Sequence, residues 1–500
     1  MLSRVDRFAL LLCVLGVFAS FFVACVIFEN IPHTEDEISY LWQARVFASG
    51  RLSVPTPPHA KSMFVPFVVD YQGRRFTKYP PGWPAVLSLG VLVGLDVWLN
   101  PLLGGVGIWL AYSLGKKLFC ETVGWIASML TLTSPFFLLN SGSFLSSPLA
   151  LVLTGVFALC WFEAFSSPAS SHATRKAVFA GLSLGWLALA RPIAALGVAF
   201  PFGVHGLTLL VCGDWSIRKR ILLTSIVAAF TSGLLFAWQY LMTGNALLNP
   251  YTLWWSFDKI GFGAGYGISP DGHNLMNALE NSAIMLDAAR RDVFGWGNYS
   301  WLLLPFGVWA VRKNRPSWVI SAVFISLVGF YLVYWAHVTR YGPRYYYEGM
   351  YSLTLLSAAG IHWLARKDKL RFALTSVLMT SLVGYNLFVY LPARLAASRA
   401  IYGITRAQLA PFQIAEAHRL TPALVFVSVK ENNAYGSLNS DWPQYGGLLE
   451  LQNPELTSPF IFAISRGNSE DAALMMDYPN RHVIYYYPDE PYEFYFVPRK

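Results

Sequence analysis

The sequence predicts a polytopic α-helical membrane protein, with about eleven transmembrane helices plus a juxtamembrane helix and then a small C-terminal soluble α/β domain. Three observations predict it. Hydrophobic residues make up 55% of the 500 residues and charged residues 13%, where a soluble domain carries about 25% charged. The apolar residues come in blocks near the roughly 20 residues that a bilayer crossing needs. Lys and Arg fall in short clusters between those blocks, where they set topology.

Spans are expected at about 8–28, 98–115, 122–139, 143–163, 175–190, 192–213, 221–243, 294–311, 317–337, 349–365 and 372–391. Residues 84–95 are apolar over too short a stretch to cross and predict a surface or re-entrant helix. Arg4 and Arg7 precede the first span, which puts the N-terminus in the cytoplasm. Counting from there, Lys116-Lys117, Arg175-Lys176, Arg218-Lys219-Arg220, Arg312-Lys313 and residues 366–371 fall on inner loops. Every inner loop is then basic, as the positive-inside rule requires. This distribution explains the net charge of +9 without a nucleic-acid partner. The expected place is the plasma (inner) membrane.

The large polar segments then lie outside: 29–97, 244–293, 338–348 and everything after about 392. The inner loops are too short to hold a site, so the work is expected on the extracytoplasmic face. The expected division is a transmembrane domain over 1–391, carrying a catalytic first outer loop at 29–97, and an extracytoplasmic α/β domain over 392–500. In that domain residues 422–429, 459–465, 481–487 and 493–497 read as strands and 470–476 as a short helix. An Asn-, Gly- and Tyr-rich loop at 431–457 is expected to cover the outer surface. The cysteines, at 13, 25, 120, 160 and 212, all lie within or beside apolar blocks. Neither a disulfide framework nor a zinc site is expected from such spacing.

Thr34-Glu35-Asp36-Glu37 opens a helix that Gly50 ends. Thr34 and Glu37 fit a capping box, and acids at a helix N-terminus offset the macrodipole. That accounts for Glu37 well and for Glu35 passably. It does not account for three acids at the first outer boundary, so at least one is read as a catalytic carboxylate. A carboxylate beside two others should resist ionising, which raises its pKa towards that of a useful base.

Arg74, Arg75 and Lys78 precede Tyr79-Pro80-Pro81-Gly82-Trp83. Lys78 reads either as a phosphate ligand at headgroup depth or as a snorkelling lysine. His337–Glu348 carries Arg340 and Arg344 on an outer loop, against the topological bias. Arg344 is read as an anion ligand that Glu348 or Tyr345 orients, and Arg340 as a further donor-phosphate contact. Arg191-Pro192 is either another anion contact or a helix start with Pro in its first turn. The segment from Asn249 to Gly267, with Tyr251, Asp258 and Lys259, is aromatic and glycine-rich. It suits a sugar or prenyl chain, and equally a loop hugging the membrane.

These residues resemble the GT-C class of integral-membrane glycosyltransferases, in the branch of glycosyltransferase family 39, protein mannosyltransferases and aminoarabinose transferases. Asp36-Glu37, Lys78-Tyr79-Pro80-Pro81 and Arg344-Tyr345 stand where that branch has an acidic pair, a Lys-x-Pro-Pro-like stretch and a late Arg-Tyr. The likeness covers about residues 1–390. It implies a sugar donor on a polyprenyl phosphate, a lipid, glycan or protein acceptor, Asp36 as base, and Lys78 and Arg344 near the donor phosphate. Here the acidic cluster is Glu-Asp-Glu, so Glu35 competes with Asp36.

A phosphate leaving group needs cations rather than a general acid. What remains is a base on the acceptor, opposite the departing phosphate, which predicts one displacement with inversion. A divalent cation could bridge carboxylate and phosphate, but nothing in the sequence requires a cofactor. Three rivals stand: a polysaccharide polymerase or ligase with a lipid-diphosphate donor, a lipid or sugar transporter (flippase), which would place ionisable residues deep inside spans, and a non-catalytic membrane scaffold that presents the C-terminal domain.

Overall fold

Apolar blocks become helices in the computed structural model, which describes residues 4–165, 171–429 and 442–499. The first is α1 (Arg4–Phe22), which runs on through a π turn at Val23–Ile27. Next come α2 (Glu35–Ala48), α3 (Gly82–Val93), α4 (Asp96–Leu118), α5 (Glu121–Leu132), α6 (Pro135–Ser141), α7 (Ser147–Phe165), α8 (Ser171–Ala190), α9 (Pro192–Cys212) and α10 (Trp215–Thr243). The second half holds α11 (Tyr251–Trp254), α12 (Leu275–Asp292), α13 (Leu304–Val311), α14 (Arg315–Tyr331), α15 (Met350–Ala365), α16 (Lys369–Tyr385) and α17 (Leu391–Ser398).

Among the described residues six helices are long and apolar enough to cross a membrane, and a seventh if α5 and α6, bent by 65°, count as one. Ser134 makes that bend: its hydroxyl accepts from Phe137 N–H, and Pro135 opens α6. Phe8, Leu11, Leu15, Phe18 and Phe22 stand exposed along α1. Their three- and four-residue spacing is a lipid-facing stripe. The chain is a multi-pass membrane protein.

Several expected spans take another form. Residues 294–311 are α-helical only from Leu304, after a 3-10 turn at Gly297–Tyr299, because Gly295 and Gly297 hold left-handed φ of +67° and +57°. The helix before them, α12, falls where an outer loop was expected. The region 317–337 is helical only to Tyr331. Helix α15 is short, but Leu353, Leu355, Ala358 and Ile361 are all buried, so its packing is protein rather than lipid.

The first polar segment carries a sheet not foreseen in the sequence. Strands β1 (Val54–Pro55), β2 (Val68–Tyr71) and β3 (Arg74–Thr77) pair antiparallel in the order β1-β3-β2. Gln72-Gly73, at φ +49° and +74°, makes the two-residue turn that suits strand twist. Near the C-terminus β4 (Ala423–Val427), β5 (Phe460–Ile464) and β6 (His482–Tyr486) form a parallel sheet, order β5-β4-β6. A further helix, Asn468–Asp477, connects β5 to β6. The expected strand at 493–497 is reduced to one bridge, Tyr485 to Tyr495. Of the expected 431–457 loop, residues 431–441 lie outside the described residues, and the rest opens with a helix at Trp442–Leu448 and a 3-10 turn at Leu449–Leu451.

The largest core cluster joins α1, α4, α5, α7, α14 and α15. A second joins Ile38, Trp42 and Val46 of α2 to Val425, Phe462 and Ile484 of the parallel sheet. The sheet thus sits on the first polar segment, directly behind α2.

Candidate active site

Helix α2 starts where the sequence caps it. Thr34 Oγ1 accepts from Glu37 N–H at 3.3 Å, and Glu37 Oε2 accepts from Thr34 N–H at 3.0 Å. This box sends the three acids to different fates. Glu37 turns into the protein, where its oxygens also accept from His33 N–H at 2.7 Å and Phe144 N–H at 3.2 Å. Glu35 and Asp36 face a cavity of about 1040 Å³.

Lys78, Tyr79, Arg191 and Tyr251 also line the cavity, as do Asp258, Arg340, Arg344 and Tyr345; Glu37 and Lys259 do not. Glu37 is therefore corrected from a catalytic candidate to the cap of α2. Lys259 is corrected from a lining residue to an exposed side chain, with its ammonium 5.6 Å from the Tyr266 ring.

Asp36 is the hub on the acidic side. Arg344 Nη2 donates to its Oδ2 at 3.0 Å, and the Tyr79 hydroxyl makes a short hydrogen bond to its Oδ1. Burial pushes the Asp36 carboxyl up, but the Arg344 charge and the Tyr79 hydrogen bond outweigh it and hold the pKa below the usual aspartate value. The expected upward shift fails here, because a cation and a hydroxyl reach Asp36 first. It holds for Glu35, whose side chain makes no hydrogen bond or ion pair among the described residues: burial, then the neighbouring Asp36 charge, push it up to about 7. Burial does the same to Glu37, up to about 7, against the pull of its three N–H donors.

Lys78 is 3% exposed at its side chain and pairs with Asp258 Oδ2 at 3.2 Å. Its ammonium lies 3.9 Å from the Phe67 ring centroid, 4.5 Å from Trp255 and 5.0 Å from Tyr251. This is a cation in an aromatic cage. Burial holds its pKa below the ordinary lysine value, although Asp258 and Asp36 pull the other way. Two features position Lys78. β3 ends one residue before it, and Gly82 lets α3 abut α8: a Cβ there would stand 2.6 Å from the Leu189 carbonyl carbon.

Arg191 Nη1 donates to Ser147 Oγ at 2.8 Å, its Nη2 donates to the Arg344 carbonyl at 2.8 Å, and its Nε lies 3.1 Å from Glu348 Oε1. It thus braces the Arg344 backbone while it lines the cavity. Glu348, expected to orient Arg344 directly, does so through Arg191. Tyr345 stacks on Tyr331 at 4.6 Å. Arg340 lies over the Tyr402 ring at 3.3 Å and faces the cavity.

Sequence reasoning missed Phe67, Tyr334 and Trp335. Aromatics are everywhere in this chain, and nothing in their local pattern marks these three. Among the described residues no three His, Cys, Asp or Glu side chains gather as cation ligands.

No protein-family model matches the sequence, and no curated protein matches it. Solved structures do. The crystal structure of ArnT, an aminoarabinose transferase from Cupriavidus metallidurans bound to undecaprenyl phosphate, superposes with a TM-score of 0.59 at 15% identity, over 95% of this chain and 89% of that one. The archaeal oligosaccharyltransferase AglB from Archaeoglobus fulgidus, in complex with an inhibitory peptide and a dolichol-phosphate, superposes with a TM-score of 0.54 at 13% identity, over 97% of this chain and 70% of that one. The chain has the GT-C fold of these integral-membrane glycosyltransferases.

Proposed function

We propose that this protein is a membrane glycosyltransferase that moves a sugar from a polyprenyl-phosphate donor to an acceptor on the extracytoplasmic face, with inversion. One observation carries the reading. A carboxylate, Asp36, and the cations Lys78, Arg340 and Arg344 meet in one cavity, from segments far apart in sequence. Every wall segment comes from an outer loop, or an outer span end, of the eleven-span topology. Chance would scatter lining residues over both ends of the helices. The same agreement supports an extracytoplasmic C-terminal domain over 392–500. The lipid phosphates in the ArnT and AglB structures support the donor class.

In this reading the donor phosphate sits among Lys78, Arg340 and Arg344, which stabilise the negative charge that grows as the sugar leaves. Asp36 accepts the proton of the incoming hydroxyl or amine. Its low pKa keeps it ionised at neutral pH, as a proton acceptor must be. It is a weak base, which suffices where the proton leaves late, as the new bond to the sugar forms. Arg344 binds Asp36 on one side and reaches the phosphate on the other, so it sets the distance between base and leaving group. Aromatic faces such as Tyr345 and Tyr251 give the sugar ring a wall to stack on. The acceptor is a lipid, a glycan or a protein.

Asp36→Asn tests the reading. Transfer from polyprenyl-phosphate sugars falls about 10²–10⁴-fold, the worth of a general base, with expression and folding intact. Undiminished transfer removes Asp36 from the mechanism. Turnover of polyprenyl-diphosphate sugars alone would favour the polymerase or ligase. Mass spectrometry of the lipid-linked sugars that accumulate without the protein identifies the donor.

A further inference from the structure

Asp258 has no role in the reaction just described, yet it is one of the most enclosed acids at the cavity. Its side chain is 1% exposed. Oδ2 faces the Lys78 ammonium at 3.2 Å, while Oδ1 accepts from the Tyr334 hydroxyl at 2.9 Å and from Trp335 Nε1–H at 3.0 Å. One carboxylate therefore joins three segments: the turn after β3, the loop between α10 and α12, and the chain leaving α14.

An ammonium shut in by Phe67, Trp255 and Tyr251 has lost most of its water. It keeps its charge to higher pH while an anion stands beside it. The other titratable groups facing it are Asp36 and Glu35 from α2, with Tyr79 and Tyr251 presenting their rings to the ammonium. Asp36 is committed to Arg344 and Tyr79, and Glu35 makes no ion pair with Lys78. Asp258 is thus the contact counter-ion. Its second oxygen is pinned by two neutral donors, so it would keep its place and its hydrogen bonds if the ammonium turned to another anion.

We propose that Asp258 is a positioning residue: it keeps Lys78 as an ammonium in the empty cavity and yields it to the anionic head of the lipid donor. This rests on the donor reading above. Asp258 touches neither sugar nor acceptor. It stores a charge where solvation could not, and the donor phosphate takes over as counter-ion on binding.

The test is direct binding of a polyprenyl methyl phosphate, a diester whose single charge does not titrate between about pH 6 and 10. Binding is followed in nanodiscs by tryptophan fluorescence, since Trp255 and Trp335 flank the pair. Asp258→Asn keeps an oxygen for Tyr334 and Trp335 but removes the charge. At pH 6 this variant binds the probe at least as tightly as the unaltered protein, because the ammonium survives and its competitor is gone. The alkaline pH at which binding is lost moves down by about one unit or more. Adding Lys78→Arg, which stays protonated, restores binding at high pH. An unmoved alkaline limb, or weakening by the same factor at every pH, overturns the role of Asp258 and leaves the donor reading standing. If the unaltered protein does not bind the probe at any pH, the donor reading and this inference fall together.

Discussion

Two adjacent acids, Glu35 and Asp36, share a helix turn and a cavity, yet their pKa values are shifted in opposite directions. Neighbours decide this: Asp36 meets Arg344 and Tyr79, while Glu35 meets mainly low dielectric and the Asp36 charge. Glu35 therefore gains its charge as pH rises through about 7. Below that pH it is neutral and leaves the cations to the donor; above it, it repels the phosphate. The expected outcome is a donor KM that rises as pH passes through 7. Glu35→Gln holds KM at its low-pH value throughout and changes kcat less than about tenfold. A large pH-independent loss of kcat in Glu35→Gln would make Glu35 the base instead. At this scale the sequence was legible in part. Which residue types gather was readable, because Glu-Asp-Glu, Lys-Tyr-Pro-Pro and Arg-Tyr are local strings. Which acid each cation would choose was not, because Lys78 and Asp258 are far apart in sequence.

At the scale of elements, α2 carries the site and Glu37 holds α2 in place. Its carboxyl is 1% exposed, with a pKa raised from 4.5 to about 7. A raised acid pKa means that the folded state holds its proton over a range where the unfolded chain has already lost it. The contribution to stability is complete below pH 4.5 and is lost as pH rises through 7. At 1.36 kcal/mol per pKa unit the loss is about 3 kcal/mol at most. Melting temperature in detergent is expected to decline across that window, and Glu37→Gln to flatten the decline. A slope that persists in Glu37→Gln assigns it to another group. The capping box was legible because it needs only Thr34 and Glu37 three residues apart. The sheet of β1–β3 was not: its strands are short and its turn is Gln-Gly rather than the stronger Asn-Gly signal. The loss of α-helix at 294–303 had a visible cause in Gly295 and Gly297, but hydropathy alone counts those residues as apolar.

At the scale of the whole molecule, the C-terminal parallel sheet and the first polar segment share a core. Met63 is fully buried among Leu424, Phe426 and Ile461, and Ile464 N–H donates to the Ser62 carbonyl at 2.8 Å. Arg45 and Glu450 add an ion pair at 2.6 Å, with side chains 22% and 25% exposed. Apolar burial should dominate, because half-solvated ion pairs contribute about 0–1 kcal/mol. Met63→Ala is therefore expected to cost about 2–5 kcal/mol and to open the sheet to protease, while Arg45→Ala stays within about 1 kcal/mol. The reverse order would show that charge, not packing, docks the sheet. Because α2 lies between sheet and cavity, loosening Met63 should also lower transfer without touching a group that lines the site.

The chain by itself determined that this is a helical membrane protein, that short basic clusters and long polar segments separate its apolar blocks, and which strings hold the acids and cations. Those properties follow from residue type and local spacing, which water and lipid read directly. Only the tertiary structure decided that the Asp36 carboxyl is shifted down while that of Glu35 is shifted up, that Arg191 pairs with Glu348 and the Arg344 carbonyl, and that Lys78 lies caged beside Asp258. Each of these depends on which distant side chain arrives within hydrogen-bond reach in low dielectric, and no local pattern encodes that distance.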